Sequence, residues 1–271
     1  MSRSNLAVRV VTSLVAAPLL LGVLLLAPPV AWYAVVAAAS AVAAMELFAM
    51  THPGDRIARF IGVGMTLGVS ATVYFWSDAP RVLLTLLCVH TAGGLFLAVW
   101  RPGDVPTSAG RMTASLAGPL YVGLLPTTLA LLRRDLGEAG AGYVVLALLM
   151  AWLADTGGYF VGRRFGKTPL YRTLSPNKTR AGLVGAILGS VAAGLLAHFW
   201  FLESLPLLDA LLLGAVGGVI GQVGDLAESL LKRSTGIKDS GSIIPGHGGV
   251  LDRIDALLVV APTLYLYTLW R

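Results

Sequence analysis

Nine times along its 271 residues the sequence runs apolar for about the 20 residues a helix needs to cross a hydrocarbon core of about 30 Å. The runs cover approximately 8–27, 30–50, 57–76, 80–100, 112–132, 142–162, 181–201, 207–231 and 251–270. Lipid cannot satisfy open backbone groups, and alternating ten-residue strand patterns are absent, so these runs are expected to be helices rather than barrel strands. Composition agrees: 56% of residues are hydrophobic and only 13% charged, where soluble domains carry about 25% charged residues. The fold expected is an all-α polytopic integral membrane protein of about nine transmembrane helices. The first run follows Arg3 and Arg9 as a secretory leader would. No small-x-small site ends it, however, and Pro28, Pro29 and a second span follow at once, so it is read as a span.

Cytoplasmic loops are enriched in Lys and Arg. If nine helices alternate, sixteen of the 20 Lys and Arg fall on the side of the N-terminus, and only Arg81, Arg133, Arg134 and Arg271 on the other. The N-terminus is therefore expected in the cytoplasm. The net charge of +6 then reflects a basic cytoplasmic face suited to anionic headgroups or a phosphorylated substrate, with no call for nucleic acid. Cys88, the single cysteine, excludes a disulfide framework and a cysteine metal site, and is expected to be a small buried hydrophobe.

Residues 1–135 have short polar loops and look like scaffold or dimer surface, with small residues in "AAASAVAA" that allow close helix contact. Residues 136–271 differ. Their two cytoplasmic loops, Gly162–Arg180 and Lys232–Gly249, are long, basic and glycine-rich, and are expected to wall one catalytic site.

Ionisable residues inside spans are expensive and are functional candidates by default. Here they cluster: Asp155 in the sixth span, Asp225 and Glu228 in the eighth, Asp252 and Asp255 opening the ninth. Helical spacing puts Asp225, Glu228 or Ser229, and Lys232 on one face, and Asp252 and Asp255 on another, one turn apart. Paired carboxylates near a phosphate site suit a hard divalent cation, and Mg2+ commonly bridges carboxylates to substrate phosphates. The bland reading of these acids is structural pairing with Lys232, Arg233 and Arg253, or capping of a helix start. Clustering beside two basic glycine loops favours the site.

Glycines in "PGHGG", among them Gly248 and Gly249, let backbone amides approach a phosphate closely. Lys232, Arg233, Lys238 and Arg253 supply cations for the same oxygens. His247 is open to three readings: acid–base group, phosphate donor or polar loop residue. His52, His90 and His198 read as structural, and Glu46 in the second span has no assignable partner. "GRRFGKT" lacks the first glycine of a phosphate-binding P-loop, since position 161 is Val161.

The run "SLLKRSTGIKDSGSIIPGHGGVLDRID", Ser229 to Asp255, resembles the signature of the phosphatidate cytidylyltransferase (CDP-diacylglycerol synthase) family: S-x-x-K-R-x4-K-D, a Pro before H-G-G, then D-R-x-D. "ADTGGYFVGRRFGK" and "LSPNKT" are similar to the family's aspartate-bearing helix and its S-P-x-K-T segment, with Thr156–Tyr159 standing where many members have Ala-Tyr. The resemblance covers about residues 145–271.

It implies transfer of a cytidylyl group from CTP to phosphatidate, giving CDP-diacylglycerol and pyrophosphate at the cytoplasmic face of the cell membrane. Carried over, it implies Asp225, Asp252, Asp255 and Asp155 as Mg2+ ligands, and Asp225, Asp252, Asp255, Lys238 and Asp239 as candidate catalytic residues. Lys178, Ser175, Lys232, Arg233, His247, Gly248, Gly249 and Arg253 are the implied substrate contacts. A homodimer and a second cation such as K+ are suggested by the family alone. Rival classes are an ion transporter, whose acids would form a path across the membrane, and a CTP-using lipid kinase. A CDP-alcohol phosphotransferase would need a D-G-x2-A-R pattern that is absent.

Overall fold

The structure, a computed structural model, describes the backbone of residues 3–243 and 248–271 and the side chains of residues 14–243 and 248–271. In chain order the helices are α1 (Arg3–Leu26), α2 (Pro29–Thr51), α3 (Arg56–Trp76), α4 (Pro80–Trp100), α5 (Val105–Pro119), α6 (Leu125–Asp135), α7 (Ala139–Phe165), α8 (Arg180–Leu196), α9 (Leu207–Ser234), α10 (Leu251–Ile254) and α11 (Leu257–Leu269). π turns at Leu120–Leu124 and Ala197–Phe201 follow α5 and α8. Two short strands, β1 (Pro169–Tyr171) and β2 (Ser175–Thr179), separate α7 from α8. The chain divides into two compact units, Met1–Leu131 with Asp239–Arg253, and Leu132–Lys238 with Ile254–Arg271.

Among the described residues seven helical stretches are long and apolar enough to span a membrane, and two shorter apolar stretches, Leu14–Leu26 and Leu257–Leu269, accompany them. Each of the nine apolar runs in the sequence thus meets a helix. Large apolar side chains stay exposed along these helices, such as Leu84, Val89, Phe96, Leu188 and Leu212, as expected where lipid replaces water as the solvent.

In the first unit prolines occupy the first turns of α2 and α4, where the missing N–H leaves no hydrogen bond unmade. The ring of Phe48 lies on Gly62, whose place a Cβ could take only 2.5 Å from the ring atoms. Tyr33 and Tyr74 stack with centroids 4.0 Å apart. Ser70 and Thr127 share a buried hydrogen bond of 2.7 Å, so each offsets the other's desolvation. A polar corner joins two loops. Asp55 caps α3 by accepting from Ala58 N–H at 3.0 Å, and it also accepts from Arg101 Nε at 2.8 and 2.7 Å. The Arg101 guanidinium holds the Asp55 carboxyl below the usual carboxylate range. His52, just past α2, is buried, and that burial, followed by the charge of Arg111, pushes its pKa down to about 4.

In the second unit α7, α8 and α9 meet backbone to backbone. Gly157 of α7 packs on Gly185 of α8, and a Cβ on Gly214 or Gly218 of α9 would lie 2.6 Å from the Cα of Val191 or Ile187. Small residues permit such approach, and between membrane helices it is close packing that drives association. Away from the hairpin, Tyr267 donates to Asp209 at 2.6 Å and Tyr265 to Asp135 at 2.8 Å.

Three features depart from the sequence expectation. The ninth run is not one helix from 251 to 270: it is broken at Asp255–Ala256, where the Asp255 carboxylate accepts from Ala256 N–H at 2.7 Å. Asp252 and Asp255 consequently do not sit one turn apart on a continuous helix, and they belong to different units. Cys88 is exposed on α4, not buried, because a thiol facing lipid keeps an apolar neighbour either way. The loop after α7 is an antiparallel hairpin, with Pro169 opposite Thr179 and Tyr171 opposite Ser175.

Candidate active site

The hairpin fixes how the second unit presents its polar groups. β2 ends in Thr179, whose hydroxyl caps α8 by accepting from Gly182 N–H at 3.0 Å. Lys178 immediately precedes this cap, so capping sets where its side chain leaves the backbone. On α7, Asp155, Gly158 and Gly162 recur at helical spacing, and on α9, Gln222 and Asp225 do the same. These residues, with Lys178, line a cavity of about 430 Å³. The glycines allow this close approach: a Cβ on Gly162 would lie 3.3 Å from the Gly182 Cα, a tight contact between α7 and α8.

Inside the cavity Lys178 Nζ forms an ion pair with Asp225 Oδ2, both side chains being largely withdrawn from solvent. Arg163, also on the wall, donates to the Tyr159 hydroxyl at 2.8 Å. Asp255 sits beside this group: its carbonyl packs where a Cβ on Gly224 would fall, 2.5 Å away, and the charges of Asp225, Asp155 and Lys178 all act on it. Among the described residues no group of three or more His, Cys, Asp or Glu stands ready as a metal cluster. Mg2+ asks for less than that, using one or two carboxylates and completing its shell with water and substrate phosphates. Asp155 and Asp225 on one cavity, with a lysine already neutralising one of them, fit that demand.

The remaining candidates of this unit fall differently. Lys232 bonds Glu228 at 2.6 Å, one turn back on α9, and Glu228 is 1% exposed. This is the structural pairing that the spacing allowed, and it engages a lysine expected to hold phosphate. Arg233 is exposed and donates weakly to the Ile237 carbonyl at 3.4 Å. Ser175 pairs across the hairpin and Lys238 is exposed.

In the first unit, the loop ahead of α10 folds on two carboxylates. Asp252 Oδ2 accepts from Ser240 N–H at 3.0 Å, Ser240 Oγ at 2.9 Å and Gly249 N–H at 3.0 Å. Glu46 accepts from Val250 N–H at 3.0 Å, Leu251 N–H at 2.9 Å and Ser240 Oγ at 3.1 Å. Gly248 has φ +83°, and a Cβ there would also come 3.3 Å from Asp252 Oδ2, so the turn requires glycine. Asp239 and Arg253 are exposed. His247 lies outside the described residues.

The cavity thus brings together Asp155, Lys178 and Asp225, with Asp255 adjoining, and leaves Lys232 in a pair of its own. Sequence reasoning missed Thr179, Gln222 and Ser240. Thr179 carried a signal, a threonine one residue ahead of an apolar run. Ser240 carried none.

A family model described as the cytidylyltransferase family matches residues 7–270. The chain is 45% identical over 134 residues to a phosphatidate cytidylyltransferase of Bacillus subtilis (strain 168), covering 49% of each chain. It is 43% identical over 125 residues to that of Staphylococcus haemolyticus (strain JCSC1435), covering 46% of this chain and 48% of the other. The phosphatidate cytidylyltransferase of Brucella suis biovar 1 (strain 1330) is 43% identical over 157 residues, 56% of this chain and 55% of that one. The chain spans about half the length of the curated relatives it matches. With the family model matching from end to end, the chain belongs to the cytidylyltransferase family.

Proposed function

We propose that this protein transfers a cytidylyl group from CTP to phosphatidate at a membrane surface. The observation that carries the reading is the cavity holding the Asp225–Lys178 ion pair beside Asp155. It offers anionic ligands and a cation at one place, as a nucleotide triphosphate and a lipid phosphate together require.

In the reaction a phosphate oxygen of phosphatidate forms a bond to the α-phosphorus of CTP. The bond from that phosphorus to the oxygen bridging to the β-phosphorus breaks, and pyrophosphate leaves with its electron pair. The nucleophile needs no general base, because a phosphomonoester has a second pKa of about 6 and is mostly dianionic near neutrality. What remains is positioning and charge neutralisation. Lys178 is assigned to a phosphate oxygen once Asp225 is otherwise neutralised, and Arg163 adds a second cation on the same wall. Asp155 and Asp225 are assigned to hold Mg2+, with Asp255 as a further carboxylate of the same unit; Asp252, in the other unit, is separately proposed as a metal ligand. Bound there, Mg2+ would neutralise triphosphate charge and hold the α-phosphate in line. The excess of Lys and Arg on one set of loops supports a reaction at the cytoplasmic face.

The test uses purified protein with phosphatidate, Mg2+ and CTP labelled at either the α- or the γ-phosphate. Label from α-CTP alone in the lipid extract is the expected result. Label from γ-CTP would make the protein a lipid kinase, and no lipid label from folded protein would remove the transferase reading.

A further inference from the structure

Glu46, the acid of α2, has no task in the transfer scheme, and it is 4% exposed within an apolar helix. A carboxylate in that position is costly unless its oxygens are supplied with donors. All three of its donors come from one loop about 200 residues away: Ser240 Oγ, Val250 N–H and Leu251 N–H. The fit is close. A Cβ on Gly249 would lie 2.7 Å from Glu46 Oε2, and one on Gly241 would lie 2.8 Å from Glu46 Cδ.

The same loop residues hold Asp252. Ser240 Oγ lies 3.1 Å from Glu46 Oε2 and 2.9 Å from Asp252 Oδ2. A hydroxyl carries one proton, so only one carboxylate can receive it at a time. Glu46 therefore gives Ser240 a second acceptor and would let its proton turn away from Asp252 when Asp252 takes up a cation. Gly249 N–H, a backbone donor to Asp252, is followed directly by the two amides that Glu46 binds.

We infer that Glu46 is a positioning residue for Asp252, fixing the Gly249–Leu251 backbone and the Ser240 hydroxyl so that the Asp252 carboxylate is oriented toward a divalent cation. This rests on the reading of Asp252 as a metal ligand. A neutral amide cannot replace Glu46, because one end of it would present N–H to the N–H donors of the loop. Glu46→Asp keeps two acceptor oxygens on a shorter stem.

The experiment compares wild type, Glu46→Gln, Glu46→Asp and Ser240→Ala in the full chain, in detergent. It reads Mn2+ binding by electron paramagnetic resonance with CTP present, and amide exchange in peptides covering 248–253. Glu46→Gln is expected to weaken Mn2+ binding about 10- to 100-fold, as loss of a ligand's supporting partner does, and to speed exchange at Val250 and Leu251. Ser240→Ala should weaken Mn2+ binding with less effect on exchange, and Glu46→Asp should recover part of both. Faster exchange with unchanged Mn2+ affinity would overturn the inference and leave Glu46 a fastener only. So would unchanged behaviour in Glu46→Gln, or an active wild type that binds no Mn2+. Mn2+ binding that responds to Glu46 in a protein that makes no labelled lipid would sink the transferase reading and leave the positioning role standing.

Discussion

Lys178, the last residue of the hairpin before the α8 cap, reaches across to Asp225 in the middle of α9 and pairs with its carboxylate. The pair closes the cavity wall with a group from outside the helices. In the proposed reaction Asp225 would hold the metal and Lys178 would bind a phosphate oxygen.

Asp225→Asn should lower cytidylyl transfer by on the order of a hundredfold or more while the protein remains folded, since it removes a proposed ligand of the Mg2+ that would neutralise the phosphates. Lys178→Met should be milder on turnover and should raise the CTP concentration needed for half-maximal rate. Steady-state kinetics with α-labelled CTP separates the two effects. Wild-type turnover in Asp225→Asn would remove Asp225 from the metal assignment.

Chelation with EDTA should abolish lipid labelling, and readdition of Mg2+ should restore it. Ca2+, larger and content with irregular shells, should restore little. Labelling that persists after exhaustive chelation would refute the metal requirement.

Lys232→Ala should destabilise the protein by about 3 kcal/mol, because it removes the cation paired with the buried Glu228 carboxylate. The double change Glu228→Gln with Lys232→Met should recover most of that loss. Thermal unfolding in detergent reads both. A Lys232→Ala variant as stable as wild type but defective in CTP use would return Lys232 to the phosphate site.

Gly214→Leu or Gly218→Leu should cost about 2 kcal/mol or more, since the first added carbon would already lie 2.6 Å from a Cα of α8. Activity should fall with stability, as separating α8 from α9 moves the hairpin away from Asp225. Unchanged thermal stability in either variant would contradict the close contact.

Stability should fall as pH is lowered through the weakly acidic range. His52 is held neutral in the folded protein, with its pKa pushed from 6.5 to about 4, so between those values the unfolded chain binds a proton that the folded one refuses. Asp55 acts in the same direction at lower pH, since its lowered pKa gives stability that is lost when the carboxylate protonates. Melting temperatures between pH 7.5 and 4.5 should decline, and His52→Gln should flatten the upper part of that decline. An unchanged slope in His52→Gln would show that another group titrates.

The apolar helices were legible because crossing hydrocarbon imposes a length and a composition that any window of about 20 residues reveals. The acids of the cavity were legible for a related reason: a charge in such a window stands out, as Asp155 and Asp225 do. Other features left no such trace. The hairpin strands have three and five residues, too few for an alternating pattern, and "SPNKT" has no apolar residue but Pro to alternate. The break at Asp255 is one side chain bonding its neighbour's amide, which no period marks. Glu46 and Ser240 lie 194 residues apart, so only the folded chain could pair them. The spacing of Glu228 and Lys232 was visible, but spacing does not say whether a lysine faces a carboxylate or a ligand.

The π turn at Leu120–Leu124 has a consequence for how this part of the chain tolerates change in length. A π turn takes up about one more residue than an α turn over the same rise, so α5 and α6 are joined by a stretch that already stores an extra residue. Thr127 of α6 nevertheless faces Ser70, and Gly118 of α5 fits against Leu47, so both flanking helices keep their partners despite the surplus. Deleting one residue within Leu120–Leu124 would relax the turn to ordinary helix without re-registering the helices on either side. A deletion inside α3, where no such slack exists, would rotate every residue beyond it by about 100°, the angle per residue of a 3.6-residue turn.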